Sequence, residues 1–272
     1  MNVGEWLNRA TQALDSVGIE SARLEAQVMV AHVTRTDRSW VAAHPEAEFP
    51  DLAAESMLIR RCAREPLAYI LGYREFWGRR FSVTSDVLIP RQDTETLVEW
   101  ALNRDGSDSS RVLDIGTGSG CIAITLKLER PRWQVTGVDL SPRALAVARR
   151  NGEALGAEVT WLESDLGGAV AGEQFDLIVC NPPYIATGTA LMPEVSEFEP
   201  PSALFAGRDG LGTYRRLAEQ AKSLLAPAGV LALEIGFGQQ RAVTCLLKAE
   251  GWEVLEAIPD LSGIVRVLVA RL

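Results

Sequence analysis

Histidine is almost missing from this chain. Only His32 and His44 occur in 272 residues, which leaves no HExxH pair and no Ser/His/Asp set with a motif behind it. That argues against a zinc enzyme or a triad hydrolase, and no metal site is expected. Cysteine is scarce as well. Cys62, Cys121, Cys180 and Cys245 stand far apart without a CxxC pair, a usage that reads as reduced thiols in a cytoplasmic protein. No run of eighteen apolar residues is present, so neither a transmembrane helix nor a membrane partner is expected. The opening MNVGEWLNRATQAL has an acid at its fifth position and no apolar core, unlike a signal peptide. Positive charge is the other deficit: 36 acidic side chains against 27 basic give −9. A protein that grips duplex DNA or RNA by its phosphates normally carries a basic face, so direct nucleic-acid binding is not expected.

What is present is ordinary for a folded chain, 47% apolar and 23% charged. The length suits one large α/β unit, or a domain of roughly 180–200 residues with a smaller companion. Residues 1–72 read as a helical bundle. Trp6, Leu7, Ala10, Ala13, Leu14 and Val17 recur at helical spacing, and Gly18 follows as a C-terminal cap. Ser21 precedes a second helix over 24–33, a third covers about 52–63, and a fourth starts near Pro66. Residues 73–88 turn aromatic and β-branched around Gly78, which predicts a β-hairpin linker.

From 89 to 272 strand and helix alternate. RVLDIG (111–116), QVTGVDL (134–140), EVTWLES (158–164), FDLIVC (175–180) and VLALEIG (230–236) read as strands, with Ser141 and Pro142 opening the helix after the second. Such alternation predicts an α/β fold, a mostly parallel sheet covered by helices on both faces. EVLEAIPD and IVRVLVARL follow without a helix between them and predict an antiparallel edge. NRDGSDSS, 103–110, reads as a surface loop.

Gly116, Thr117, Gly118, Ser119 and Gly120 sit where a strand turns into a helix, the place where glycine lets the backbone turn tightly and a ligand approach closely. Asp139, nineteen residues past Gly120, ends the next strand, where a carboxylate can accept from both hydroxyls of a ribose. The GxGxG spacing, the absence of a Walker lysine and the acid Asp114 beside the loop favour S-adenosyl-L-methionine over a pyrophosphate cofactor. Asp114 would orient the cationic amino end of its methionine part.

Asn181-Pro182-Pro183-Tyr184 follows the strand FDLIVC. Two prolines fix φ twice and remove two donors, so the turn is stiff and its carbonyls point outward. The Asn181 side-chain oxygen and the Pro182 carbonyl can accept both hydrogens of a planar NH₂ group while Tyr184 packs on the π face. Taken alone, a Pro-Pro pair is a plain turn. One sheet position away from a glycine loop and a ribose acid, it reads as the place of chemistry.

These residues resemble a class I S-adenosylmethionine-dependent methyltransferase bearing an amino-methylating NPPY signature. DNA adenine N6-methyltransferases, some RNA guanine N2-methyltransferases and protein glutamine N5-methyltransferases share that signature. Residues 65–102, EPLAYILGYREFWGRRFSVTSDVLIPRQDTETLVEWAL, with FEPPSAL (198–204), GRDGL and EIGFGQQ, resemble the PrmC/HemK family specifically. The resemblance is close over about 60–272. It implies a Rossmann-like, seven-stranded, mostly parallel sheet behind an N-terminal helical bundle that recognises the substrate protein. It implies transfer of a methyl group from S-adenosyl-L-methionine to N5 of the glutamine in the GGQ motif of peptide-chain release factors, leaving S-adenosyl-L-homocysteine. By the same resemblance Gly116 to Gly120 wrap the methionine part and Asp139 holds the ribose. Leu166 packs on adenine, and Asn181, Pro182, Pro183 and Tyr184 hold the glutamine amide. Arg91 and Glu95 of IPRQDTE are placed near the cofactor's methionine end. Gln92 stands where the family usually has proline. A monomer is expected.

Two other classes stay open on residues alone: an adenine N6-methyltransferase on DNA, and a cofactor-binding fold that serves only as an interaction module. Several features have plainer readings. The tryptophans read as packing, with Trp77 the one suited to an interface; His32 and His44 read as structural, and Cys180 as a small core residue. Arg60, Arg61, Arg64, Arg74, Arg79 and Arg80 read as a solvated surface, and Glu197 and Glu199 as a flexible acidic loop.

Overall fold

The computed structural model describes residues 1–104 and 108–272; part of the surface loop expected over 103–110 therefore lies outside the described residues. The chain forms two compact units, Met1–Tyr73 with Met192–Phe198, and Arg74–Leu191 with Glu199–Leu272.

The first unit is helical. It contains α1 (Val3–Ser16), α2 (Ala22–Thr34), α3 (Arg38–Ala43), α4 (Asp51–Cys62) and α5 (Leu67–Leu71). A capping box starts α1: Asn2 Oδ1 accepts from the Glu5 N–H at 2.8 Å, and Glu5 Oε2 accepts from the Asn2 N–H at 3.1 Å. Trp6, Leu7, Ala10 and Leu14, one stripe of α1, pack with Ala26, Met29 and Val30 of α2 into the core. The sequence pattern misses α3, because six residues hold too little apolar period to see. Asp37 nucleates it by accepting from the Trp40 N–H at 2.7 Å.

Of the arginines expected on a solvated surface, Arg61 is buried and Arg64 half-buried instead. Arg61 Nε donates to Glu25 at 2.6 Å and Arg61 Nη1 to Glu194 at 3.2 Å, while Arg64 Nη2 reaches Glu194 at 2.7 Å. Side-chain exposures of 7%, 13% and 14% for Arg61, Glu25 and Glu194 put this network out of water. Glu194 arrives on the returning segment Met192–Phe198, which no local pattern could have assigned to this unit. The histidines are structural, as read: His44 stacks on Trp40 with ring centroids 4.7 Å apart, and His32 stacks on Tyr73.

The second unit begins in a hairpin, β1 (Tyr73–Phe76) and β2 (Arg79–Ser82), shorter than the 73–88 expected. Its two turn residues, Trp77 and Gly78, have φ of +50° and +67°, the left-handed pair that matches strand twist. Phe76 and Phe81 are buried against α6 (Glu95–Asn103), and Trp77 packs on the same core, so it is not an interface residue standing free. Then follow β3 (Arg111–Ile115), α7 (Cys121–Glu129), β4 (Gln134–Asp139), α8 (Pro142–Leu155), β5 (Thr160–Glu163) and β6 (Phe175–Cys180). The single turn α9 (Pro193–Ser196) lies in the segment that belongs to the first unit. Next come α10 (Gly212–Gln220), β7 (Leu225–Glu234), α11 (Gln240–Ala249), β8 (Glu253–Pro259) and β9 (Val265–Arg271).

The sheet order is β5-β4-β3-β6-β7-β9-β8. The strands β3 to β7 run parallel, and their order reverses between β3 and β6, which opens a crevice at their carboxyl ends. The last two strands form the expected antiparallel edge pair, with β9 inserted between β7 and β8 and antiparallel to both. Burial explains the insertion: Val267 to Ala270 are at most 1% exposed and need neighbours on both sides, whereas Leu255 of β8 is 39% exposed. Leu113, Ile115 and Ile178 face one core layer with Tyr214 and Trp252, and Val112, Leu177 and Val179 face the other with Leu97 and Ile122.

Removing one partner of a buried ion-pair network leaves the others desolvated and unpaired, at a cost of about 3–5 kcal/mol. Arg61→Ala is expected to destabilise the first unit by that order, and Arg60→Ala, whose side chain is 43% exposed, far less. Urea unfolding of both variants checks the contrast.

Candidate active site

The parallel sheet delivers four chemistry-bearing side chains to its carboxyl edge. Asp114 lies in β3, Asp139 ends β4, Glu234 ends β7, and Asn181 is the first residue past β6. The β6–β7 register pairs Cys180 with Leu233, so Asn181 and Glu234 are next in line.

The glycine loop is braced from below. Asp114 is fully buried; its Oδ2 accepts from the Thr117 hydroxyl at 2.6 Å and from the Ala123 N–H at 3.2 Å. Thr117 and Ser119 are 4% and 3% exposed, so these two turn their side chains into the protein and leave only backbone to the crevice. Gly116, Gly118 and Gly120 have φ of +73°, +55° and +81°. A Cβ on Gly116 would meet nothing, whereas one on Gly120 would come within 2.9 Å of Ile124 and 3.0 Å of Trp161. Gly120 is thus a packing glycine, and Gly116 borders open space. Asn151, absent from the sequence reading, stitches the loop down: its Nδ2 donates to the Ser119 carbonyl at 2.8 Å and its Oδ1 accepts from the Ser82 N–H at 2.8 Å.

Asp139 is half-buried. Its Oδ2 accepts from the Gly118 N–H at 2.8 Å and its Oδ1 from the Ser141 N–H at 2.9 Å. Each oxygen keeps a further lone pair, the capacity a ribose diol requires. The neighbouring Leu140, also missed, is 63% exposed, an apolar side chain uncovered at the crevice rim. Leu166 is half-buried against the core on a left-handed backbone, φ +51°. The residues present fit S-adenosyl-L-methionine: an unobstructed glycine face, a ribose acid with spare acceptors, and an Asp114 Oδ1 buried without a partner, available to a cationic amino group. Among the described residues no cluster of His, Cys, Asp or Glu has metal-holding geometry, and no described helix is long and apolar enough to cross a membrane.

The NPPY turn is held on three sides. Asn181 Nδ2 donates to the Thr94 hydroxyl at 3.1 Å, and Thr94 itself is 2% exposed. The Tyr184 carbonyl accepts from Gln239 Nε2 at 2.9 Å, while Gln239 Oε1 accepts from the Gly236 N–H at 3.0 Å. Gly236 and Gly210 make room: a Cβ on either would come within 2.9 Å of the Tyr184 ring or 2.5 Å of its carbonyl. Past Tyr184, Ile185 exchanges backbone bonds with Leu204 and Ala206, so FEPPSAL runs beside the turn. Burial pushes the Tyr184 phenol up to about 12.

Thr94, Glu234 and Gln239 stand at or against the turn, a placement that residue spacing did not reveal. One signal was there for Glu234: a charge closing an apolar strand, the pattern that marked Asp139. The structure also redirects three expectations. Glu95 does not face the crevice with Arg91; its carboxylate accepts from the Trp77 N–H at 2.8 Å and fixes the hairpin turn. Arg91 is tied to Glu199 at 2.5 Å. Glu199 is no flexible acid: it is 3% exposed and also accepts from the Ile89 N–H at 3.2 Å, because a buried carboxylate must fill its lone pairs.

Comparison with known proteins follows the same division of the chain. A family model described as the PrmC N-terminal domain matches residues 5–72, and one described as the methyltransferase small domain matches 92–197. A release factor glutamine methyltransferase from Cereibacter sphaeroides is 45% identical, covering 100% of this chain and 99% of the relative. The protein of that name from Rhodospirillum rubrum is 45% identical over 99% of this chain and 85% of its own length. Among solved structures a methyltransferase from Pyrococcus furiosus is 17% identical with a TM-score of 0.54, covering 80% of this chain and 96% of its own, a likeness of fold.

Burial raises Asp114 and Glu234 each to about 7. A carboxyl whose folded value is raised contributes stability that is fully present below its ordinary value and lost as pH rises through the folded one. Stability of the cofactor-free protein is therefore expected to fall between about pH 4 and 7, by at most about 1.4 kcal/mol per pH unit for each group. Denaturation midpoints across that range check it, and Asp114→Asn should flatten the slope.

Proposed function

This chain belongs to the PrmC/HemK family of release factor glutamine methyltransferases, and on that footing we propose that its NPPY corner holds the glutamine amide while the glycine loop and Asp139 hold the cofactor. S-adenosyl-L-methionine, when bound, supplies an electrophilic methyl carbon on sulfur. The protein transfers that methyl to the side-chain nitrogen of a release-factor glutamine. The observation that carries the division of roles is the bond from Asn181 Nδ2 to Thr94, which leaves Oδ1 as the free end of the amide.

Backbone of Gly116 to Gly120 cradles the methionine part, Asp139 accepts from the ribose, and Leu140 and Leu166 offer apolar cover for adenine. Asn181 Oδ1 and the Pro182 carbonyl accept the two hydrogens of the glutamine carboxamide, with Tyr184 against its face. An amide nitrogen is a poor nucleophile because its lone pair is delocalised. Two acceptors on its hydrogens favour pyramidal character as the new bond forms, and orientation supplies much of the rest. Once nitrogen carries the methyl, its surplus proton leaves to water. With Tyr184 neutral, no general base is assigned.

The first unit reads the folded partner, since a GGQ tripeptide offers too little surface for selectivity. The setting is cytoplasmic and nucleic acid no partner, readings supported by four free cysteines and a charge of −9.

Incubation with tritiated cofactor and purified release factor, followed by mass spectrometry, should place the methyl on the GGQ glutamine. Label entering DNA instead would select the adenine rival, and no turnover the binding-module rival. Asn181→Ala should lower kcat by roughly 100-fold or more at near-unchanged cofactor affinity, and Asp139→Ala should raise the cofactor KM. Leu52 and Ile59, 83% and 69% exposed and two turns apart on α4, test the first unit's role. Leu52→Glu/Ile59→Glu should raise KM for the intact factor severalfold without shifting Tm.

A further inference from the structure

We propose that Phe237 and Leu261 form an apolar landing for the stretch of release factor next to the methylated glutamine, a reading that rests on the NPPY corner holding that glutamine. Their placement across the sheet carries it. The order β5-β4-β3-β6-β7-β9-β8 puts the glycine loop and Asp139 on one side of β6, with Asn181 to Tyr184 at its end. On the other side stand β7 and β8, each antiparallel to β9. Those two strands therefore run the same way, and the residues following both reach the carboxyl edge. A substrate chain whose glutamine sits at β6, with the cofactor over β3 and β4, has the ends of β7 and β8 left to lie on.

Of the five large apolar side chains that the second unit exposes among its described residues, Leu140, Phe237 and Leu261 stand at this edge, while Leu255 lies within β8 and Leu272 ends the chain. A lone exposed apolar residue is ordinary. Phe237 and Leu261 differ in being held out by turns closed with hydrogen bonds. Phe237, 78% exposed, lies between Gly236 and Gly238. Gln239 fixes that turn: its Nε2 donates to the Tyr184 carbonyl at 2.9 Å, its Oε1 accepts from the Gly236 N–H at 3.0 Å, and its own N–H donates to the Gly236 carbonyl at 3.1 Å. Gly236 abuts the Tyr184 ring, so Phe237 is the next residue out from the amide site. Leu261, fully exposed, rides a turn in which Asp260 Oδ1 accepts from the Ser262 and Ile264 N–H groups at 2.8 and 3.0 Å, and Oδ2 from Arg266 Nε at 3.0 Å.

The span sets the occupant. From β6 to β8 is three strand spacings, about 14 Å, or about four residues of extended chain. Two glycines precede the target glutamine and bring no side chain, so an apolar residue just outside the GGQ tripeptide fills the contact. Such a contact adds affinity for the protein substrate and none for the cofactor.

The test compares Phe237→Ser, Leu261→Ser, Phe237→Ser/Leu261→Ser, Phe237→Tyr and, as the control for losing an exposed apolar group elsewhere, Leu255→Ser, in the full chain with purified release factor. The double variant should raise the release-factor KM roughly 5–30-fold, with kcat and cofactor KM within about twofold and Tm unchanged. Phe237→Tyr and Leu255→Ser should stay near wild type. A photoreactive benzophenone analogue of phenylalanine in place of Phe237 should crosslink to the factor within about five residues of the glutamine. Wild-type KM in the double variant, an equal rise in Leu255→Ser, a rise in cofactor KM instead, or a crosslink far from the glutamine would overturn the proposal. Asn181→Ala in the same assay keeps the two readings apart. Full activity there removes the amide site on which the landing rests, whereas its loss alongside wild-type KM in Phe237→Ser/Leu261→Ser removes the landing alone.

Discussion

Parallel strand direction is the constraint on which this molecule depends. Because β3, β4, β6 and β7 all point one way, every residue that closes a strand is delivered to the same edge. The strands themselves are apolar, since both faces of the sheet are covered. Several polar groups stand at or next to the carboxyl ends of the strands, and there they meet. Asp114, Asp139, Asn181 and Glu234 are separated by 120 positions from first to last, yet adjacent strands make them neighbours.

Gathering acids at a dry edge has an electrostatic cost, and the surrounding bonds show how it is met. Asp139 fills one lone pair of each oxygen with a backbone N–H and leaves the others to the crevice. Asp114 turns one oxygen inward to brace the loop and keeps the second bare. Glu234 likewise has an unpartnered oxygen among the described atoms. Glu199, by contrast, is matched on both sides, by Arg91 and by the Ile89 amide. The matched acid holds structure together. The incompletely matched ones lie at the carboxyl edge of the sheet, where perturbed buried acids mark a candidate site.

Much of this could be read from the chain before its structure was known. The strands announced themselves as short apolar runs, and Asp139 and Asn181 were identifiable because each closes such a run at a recognisable turn. Ser141 and Pro142 open α8 as their types require, with the serine accepting from the Ala144 N–H. What stayed hidden was whatever depends on distant partners. Thr94 looks like one letter of a linker motif until Asn181 is set beside it. Arg61 and Arg64 looked like surface charge because Glu194, which neutralises them, lies 133 positions from the first. The family resemblance placed Glu95 near the cofactor's methionine end, whereas its carboxylate serves a turn eighteen residues back. The short helix α3 and the true length of the hairpin were lost to the weak periodicity of brief elements.

The path of the backbone carries one more consequence. After Leu191 the chain leaves the sheet-bearing unit, spends Met192–Phe198 among the helices of the other, and comes back at Glu199. No single scissile bond therefore divides this polypeptide into two self-sufficient pieces. A protease nick near residue 73 would leave the helical unit dependent on Met192–Phe198 from the other fragment, and synthesis of the helical unit alone would lack the strip that completes its ionic cluster. The bundle is complete only after the ribosome has made most of the sheet, so the segment that emerges first must wait for Glu194 before it can finish folding.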